Sequence, residues 1–477
     1  MFKKVILVLS VFSLIALVSS CEEAPQTITG SGDGPSAQME EQEYEMAMGK
    51  KSKGKVGINI VCNKEVTDKM RSKLTNFGRI VEEFPKLNAL RIRAKLRNLS
   101  KIQALPFVKA AGPDAERRGG PIDTVPETDF TGGWSSWNLD VINVTAGPGP
   151  VTRSVAYDGS GVYIGILDTG LKDSWRRYFP QERIAEEYAI AFGGGGMDRG
   201  HVSSQPNKWE HDQDSHGTHV TSTILGYYIP GGNQTGVAPM ATIIPVKVLN
   251  QSGWGWSSVI ARGIMYMAEL KEGPLAGSPV VINMSLGGPV GDPIELAAIE
   301  HAISVGVIVV ASAGNEGTLG MGYPGAWEEV ISVASSGWIG EWAVPGWWWG
   351  LDDPEPSNPL NYYISDFSSR ELTGQFLDVA APGSWIVGPY QLNSGQSLSW
   401  YYLGGTSMAA PHVAGTVALM AEKYPALTAL EAEGILESSA LYLAPGSRTV
   451  DGETFTWGVD ATGAGVLDAA AALAATP

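Results

Sequence analysis

Cysteine is nearly absent from this 477-residue chain, which holds only Cys21 and Cys62. One pair cannot staple a fold this large, so core packing must hold it together. Charge is also sparse, at 17% of residues against 44% hydrophobic, which excludes a disordered protein and allows a large core. No internal repeat is visible, which excludes a solenoid or a propeller. The longest apolar run, Val5 to Val18, is too short to span a bilayer, which takes about 20 residues.

The net charge of −17 hides a division along the chain. Residues 1–118 carry 20 Lys and Arg against 13 Asp and Glu, and the remainder carries 13 against 37. A basic front segment facing an acidic body suits electrostatic docking of one on the other. An acidic body excludes nucleic acid as a partner.

Lys3 and Lys4, the apolar run, and then Ser19 and Ser20 before Cys21 form a processing signal over residues 1–20. Val18-Ser19-Ser20-Cys21 resembles the lipobox of bacterial lipoproteins, which implies a lipid anchor on Cys21 and contact with a membrane. An ordinary cleaved signal is the alternative. Either way the protein is expected to be exported, to the bacterial cell envelope as a lipoprotein or as a secreted protein. Residues 21–54, rich in Glu, Gly, Ser and Gln, read as a flexible tether.

From 55 to 118 the pattern is a small α+β unit. Val56 to Val61 alternates as a strand, Val66 to Phe77 suits a helix, Leu87 to Ile92 a strand, and Leu99 to Leu105 a short helix. After Gly161, short continuous apolar runs alternate with helical patterns. Val162 to Leu167, Ile243 to Leu249, Val280 to Leu286 and Val307 to Ala313 read as strands buried on both faces. Ser257 to Glu272 and Ile294 to Val305 have the length of covering helices. The fold class is therefore α/β, a three-layer, mostly parallel sheet covered by helices over residues 119–477.

In such sheets chemistry gathers at the carboxyl ends of the strands. Asp168 directly follows Val162–Leu167, His216 stands at a helix start in Ser215-His216-Gly217-Thr218-His219-Val220, and Ser407 stands where Gly404-Gly405-Thr406 enters a helix of small residues. A serine hydroxyl needs an adjacent base, and the base a carboxylate to orient it. The chain supplies all three in the order Asp, His, Ser, the order of subtilisin. Asp168 as a mere helix cap is the alternative when it is taken alone.

The stretches Ile166-Leu167-Asp168-Thr169-Gly170, His216-Gly217-Thr218-His219-Val220 and Gly405-Thr406-Ser407-Met408-Ala409-Ala410-Pro411-His412-Val413-Ala414-Gly415 resemble the three signature blocks of the subtilase family, with Ala410 where a Ser is usual. The resemblance covers about 150 to 470. It implies a serine endopeptidase acting on proteins and peptides through an acyl-enzyme, with Ser407 as nucleophile, His216 as base and Asp168 orienting it. Ala313-Gly314-Asn315-Glu316-Gly317 resembles the family's oxyanion block, which implies that Asn315 is the side-chain donor. Ser285, Leu286 and Gly287 would flank the pocket for the residue before the cut bond, with Ala311, Ser312, Ala313 and Gly314 opposite. Those small, apolar walls imply a broad preference leaning apolar, and Glu316 at the rim would tolerate Lys or Arg.

By the same resemblance, 55–118 is an inhibitory propeptide, the enzyme's own partner, cut by the enzyme near 110–120. A permanent binding domain is the alternative for this unit. No cofactor is expected for catalysis. Structural calcium is expected, with ligands unassigned and Tyr227–Thr235 as the region of one family calcium loop, although carboxylates are sparse there. His211, His216 and His219 with Asp212 and Asp214 give a rival zinc reading. Rival functions are a ligase or cyclase using the same acyl-enzyme, and a non-catalytic surface binding protein. Gly337 to Tyr363 brings five tryptophans, read as an extra packed layer or a contact surface. The chain is expected to act as a monomer.

Overall fold

The computed structural model describes residues 54–128, 136–146, 152–195, 202–341, 355–392 and 398–477. The signal, Cys21, nearly all of the tether, and Trp342, Trp347, Trp348 and Trp349 lie outside the described residues.

The front unit is built from strands β1 (Lys55–Cys62), β2 (Gly78–Phe84), β3 (Ala89–Lys95) and β4 (Val108–Pro113), paired antiparallel in the order β2-β3-β1-β4. Helix α1 (Asp68–Leu74) starts at Thr67, whose hydroxyl accepts from the Met70 backbone, and α2 (Leu99–Gln103) precedes β4. Ile58, Ile60, Leu74, Leu90, Ile92 and Ile102 form its core. Two further strands, β5 (Glu116–Arg118) and β6 (Asp123–Glu127), carry the chain into the larger unit.

The body is a nine-stranded sheet. Its parallel centre runs through β7 (Tyr163–Asp168), β8 (Ile190–Gly194), β12 (Thr242–Lys247), β14 (Val280–Met284), β15 (Val307–Ser312), β16 (Ile331–Trp338) and β18 (Val379–Pro382), with β9 (Val202–Ser204) and β17 (Tyr362–Ile364) paired antiparallel at the edges. Along β14 successive residues belong to two different cores, Val281 to one and Val280 and Ile282 to the other. Burial on both faces is why these strands read as unbroken apolar runs.

One face is covered by α3 (His216–Leu225) and α6 (Thr406–Lys423), the other by α4 (Ser257–Glu272) and α5 (Pro293–Ser304). α6 is buried from Thr406 to Ala421, which its small residues permit: a β-carbon on Gly415 would come within 2.7 Å of Val237. Phe84, Leu87 and Ala89 of the front unit join the core beneath α4 and α5. Among the described residues no helix is long and apolar enough to cross a membrane. Trp338 packs partly against the core beside buried Tyr362 and Tyr363, whereas Ile339 and Leu360 at the described ends of the tryptophan-rich insertion are exposed.

Candidate active site

Asp168 is the last residue of β7, at the carboxyl end of the sheet, and its Oδ1 accepts from the Thr169 backbone N–H at 2.6 Å. His216 opens α3. The residue before it, Ser215, has φ 76° and ψ 0°, a left-handed conformation rare for a side chain with a β-carbon. Asp212 Oδ1 holds that turn by accepting from the backbone N–H groups of Asp214 at 3.1 Å and Ser215 at 2.8 Å. This brings His216 Nδ1 to 2.8 and 3.0 Å from the two oxygens of Asp168.

An ionised carboxylate only accepts, so Nδ1 carries the proton and Nε2 presents a lone pair. Nε2 is buried and has no hydrogen-bond partner among the described residues. Burial pulls the imidazole pKa down, but the charge and hydrogen bond of Asp168, with Asp214 and Asp212 behind it, raise it more, so the net shift is upward. The other two fully buried histidines stay neutral, with burial holding His219 down to about 3 and His412 down to about 4. His219 Nε2 donates to the Ile386 carbonyl at 3.1 Å, and His412 Nδ1 to the Met408 carbonyl at 2.9 Å. Among the described residues, His211, His216, His219, Asp212 and Asp214 do not bring three donor atoms together, which removes the zinc reading.

Ser407 lies in the first turn of α6 and is 3% exposed. Its Oγ donates to the Ser285 carbonyl at 3.3 Å, and Ser285 Oγ in turn donates to the Ser407 carbonyl at 2.8 Å. Asn315, just beyond β15, accepts through Oδ1 from both the N–H and the hydroxyl of Thr406, each at 2.9 Å. The backbone N–H can only donate, which fixes the amide with oxygen toward Thr406 and nitrogen away from it. Asn315 Nδ2 lies 3.7 Å from where a β-carbon on Gly405 would stand.

Of the wall residues, Ser285 and Leu286 are buried, Gly287 is half-buried, and Ala311, Ser312 and Ala313 are buried at the end of β15. The Gly314 N–H donates to Thr406 Oγ1 at 3.2 Å, so both walls touch the turn that carries Ser407. Glu316 is exposed, and one of its carboxylate oxygens is held within its own loop. Its Oε2 accepts from the Asn315 N–H at 2.7 Å and from Ser369 Oγ at 3.2 Å, locking its own loop.

The cleft is filled by the protein's own chain. β5 pairs antiparallel with β13 (Trp254–Trp256), and Arg118 exchanges two backbone hydrogen bonds with Gly287, both 2.9 Å. Gly119 N–H donates to the Gly253 carbonyl at 3.0 Å, and a β-carbon on Gly119 would lie 2.9 Å from the Ser285 carbonyl oxygen and 3.3 Å from His216 Cε1. Beyond the site, Ile122 N–H donates to the Gly404 carbonyl at 2.7 Å. The front unit is tied down elsewhere by Arg117 with Glu295, both fully buried, and by Asn59 Nδ2 on Asp292 at 2.6 Å. Docking is not simply basic on acidic, since Glu82 of the front unit meets Arg262 of the body at 3.0 Å.

Thr406, the Trp254–Trp256 wall and Glu295 are not singled out by sequence reasoning, and Asp212, named there only as a zinc candidate, instead holds the turn before His216. Thr406 alone was within a quoted motif, directly before Ser407. Tyr227–Thr235 forms a hairpin, β10 (Gly226–Ile229) with β11 (Gly232–Thr235), that offers no carboxylate of its own, and among the described residues the buried Gln234 Oε1 has no hydrogen-bond partner. Asp378, Glu433 and Glu437 converge elsewhere among the described residues, with Asp378 already accepting from Ser332.

A model of the Peptidase S8 group, described as the Subtilase family, matches residues 159–465. Subtilisin DY of Bacillus licheniformis is 34% identical over 295 residues, covering 61% of this chain and 88% of that protein. Thermitase of Thermoactinomyces vulgaris is 33% identical over 280 residues, 58% of this chain and 82% of that one. Subtilisin E of Bacillus subtilis is 35% identical over 298 residues, 62% of this chain and 64% of its own length. Among solved structures, fervidolysin from Fervidobacterium pennivorans, a keratinolytic enzyme related to subtilisin, shares the fold with a TM-score of 0.61 over 89% of this chain and 61% of that one, at 22% identity.

Proposed function

The chain belongs to the subtilase family of serine-type endopeptidases, and from that premise we propose that it cuts polypeptides through an acyl-enzyme on Ser407. The observation that carries the reading is His216, clamped through Nδ1 by Asp168 with a bare, buried Nε2. A β-carbon on Gly119 would stand 3.3 Å from the His216 ring and 2.9 Å from the carbonyl to which Ser407 Oγ donates, so a peptide lying in the cleft runs beside both groups.

In this mechanism Ser407 Oγ attacks the peptide carbonyl as its proton passes to His216 Nε2. Asp168 stabilises the imidazolium that results. The oxyanion is met by Asn315 Nδ2 and by the N-terminus of α6. His216 then protonates the leaving amine, and water, deprotonated by the same nitrogen, releases the acyl group. No metal or organic cofactor takes part in these steps.

In this reading residues 55–118 are an inhibitory propeptide and β5 blocks the cleft. The chain passes the site between Gly119 and Ile122, so the bond presented for self-cleavage is Gly119–Gly120 or one of the two bonds flanking Pro121, slightly beyond the Arg117-Arg118 pair. The protein is exported and anchored to a bacterial membrane through a lipid on Cys21. Purified Ser407→Ala protein tests the reading. It should be inactive and accumulate uncut, and trimming of that variant in the absence of other proteases would contradict self-processing.

A further inference from the structure

β5 occupies the cleft through backbone bonds that any extended peptide could make. Gly255 and Trp254 pair with Arg117 and Arg118, Gly287 bonds Arg118 in both directions, and a β-carbon on Gly119 would stand 3.3 Å from the His216 ring. A strand points successive side chains to opposite sides. Arg118 turns outward and stacks its guanidinium 5.2 Å from the Trp254 ring. Arg117 turns inward and is fully buried.

Arg117 Nε lies 3.1 Å from each oxygen of Glu295, and Nη2 also donates to Oε2. Arg117 Nη1 donates to the Glu116 carbonyl at 3.0 Å. Glu295 sits in the first turn of α5, itself without exposure, and a β-carbon on Gly288 would lie 3.1 Å from Arg117 Nη1, so glycine there leaves the guanidinium room. The fork of the guanidinium matches the carboxylate, which a lysine ammonium cannot do as well.

We infer that Glu295 forms a subsite for a guanidinium, and that it makes the enzyme select polypeptides with arginine at the position Arg117 fills, two residues before the one against His216. The inference rests on the peptidase reading. When the front unit leaves, the pocket keeps the Glu295 carboxylate and loses the guanidinium that paired with it. An arginine side chain restores the pair, whereas an apolar side chain leaves a desolvated charge unpaired, so selection works by attraction and by rejection together. This adds a positive requirement to the apolar leaning expected for the residue next to the cut.

The test is a scan of internally quenched peptides, with Arg, Lys, Gln or Leu placed in turn at each position before the cut, against active enzyme obtained from the full chain and against its Glu295→Gln and Glu295→Leu variants. Native enzyme should prefer Arg over Leu by at least about 10-fold in kcat/KM, at one position, four residues before the bond if the cut falls after the Gly120 equivalent. Glu295→Gln should flatten that preference and Glu295→Leu should reverse it, while all three enzymes still cut the Leu peptide, which shows that they fold. Equal kcat/KM for Arg and Leu in native enzyme, or a preference unchanged in both variants, would overturn the inference and leave the peptidase reading intact. Failure of native enzyme to cut any peptide, with Ser407 also unlabelled by a fluorophosphonate, would overturn both.

Discussion

Thr406 grips the Asn315 side-chain oxygen with two donors, its backbone N–H and its hydroxyl, both at 2.9 Å. The residue before the nucleophile thereby orients the amide that is to meet the oxyanion. Asn315→Leu, which removes the donor, is expected to lower kcat by about 10²–10³ with little change in KM. Thr406→Val keeps the backbone donor and should cost less, about 10-fold, again in kcat. Steady-state kinetics on one peptide substrate check both, and a change confined to KM would mean that Asn315 serves only in binding.

The acid limb of the pH profile follows from the upward shift of His216. A base must be unprotonated to act, so kcat/KM should fall as pH drops through a value above the ordinary histidine pKa of about 6.5. Asp168→Asn removes the clamping charge and should cost about 10⁴ in kcat. A limb in the native enzyme below about 6 would contradict the electrostatics described for this pair.

Docking of the front unit should weaken as pH rises. Asp292 faces Asp114, Asn59 and Ser257, with Glu295 beside it paired to Arg117, while Arg91 holds Asp114 at 2.7 Å. Ser257 Oγ lies 2.7 Å from Asp292 and 3.0 Å from Asp114, yet its one proton can serve only one of them, so the arrangement closes best with Asp292 protonated. Burial first, then Asp114 and Glu295, push its carboxyl up to about 7. The docked state therefore holds a proton that a solvated carboxyl would release, and the favourable contribution is lost as pH climbs from about 4 through about 7. Inhibition of the cut enzyme by its front unit should be weaker at pH of about 8 than at about 5, and Asp292→Asn, still a good helix cap, should remove that dependence. An unchanged dependence in Asp292→Asn would assign it to another group.

Gly119 lies in the cleft beside His216, and a β-carbon there would stand 3.3 Å from His216 Cε1. A β-carbon there would stand 2.9 Å from the backbone oxygen of Ser285, which cannot move aside. Gly119→Val in the full chain should loosen β5 and raise the activity of the uncut protein, measured on a small fluorogenic peptide. Full latency in that variant would show that the strand does not govern access.

Much of the fold was legible because parallel strands buried on both faces leave continuous apolar runs. The run Val162–Leu167 became β7 over Tyr163–Asp168, and Val280–Leu286 became β14 over Val280–Met284. Helix α4 begins and ends at Ser257 and Glu272, where its pattern placed it. Asp168 stood out after an apolar run, Ser407 after a glycine turn and His216 at a helix start. Glu295 did not. A charged residue on a covering helix reads as solvated surface, and its burial depends on Arg117, 178 residues away in sequence. β13 is three residues long and exists as a strand only through its pairing with β5, which no local pattern announces.

The central claim, that Ser407 is the nucleophile activated by His216, is tested most directly by treating the active protein with a fluorophosphonate and mapping the adduct by mass spectrometry. A single adduct on Ser407, lost in His216→Ala and accompanied by complete loss of peptide hydrolysis, is the predicted result. Ser407→Ala should retain about 10⁻⁶ of the native kcat. An adduct on another serine, or hydrolysis by Ser407→Ala above about one per cent of native in contaminant-free protein, would contradict the account.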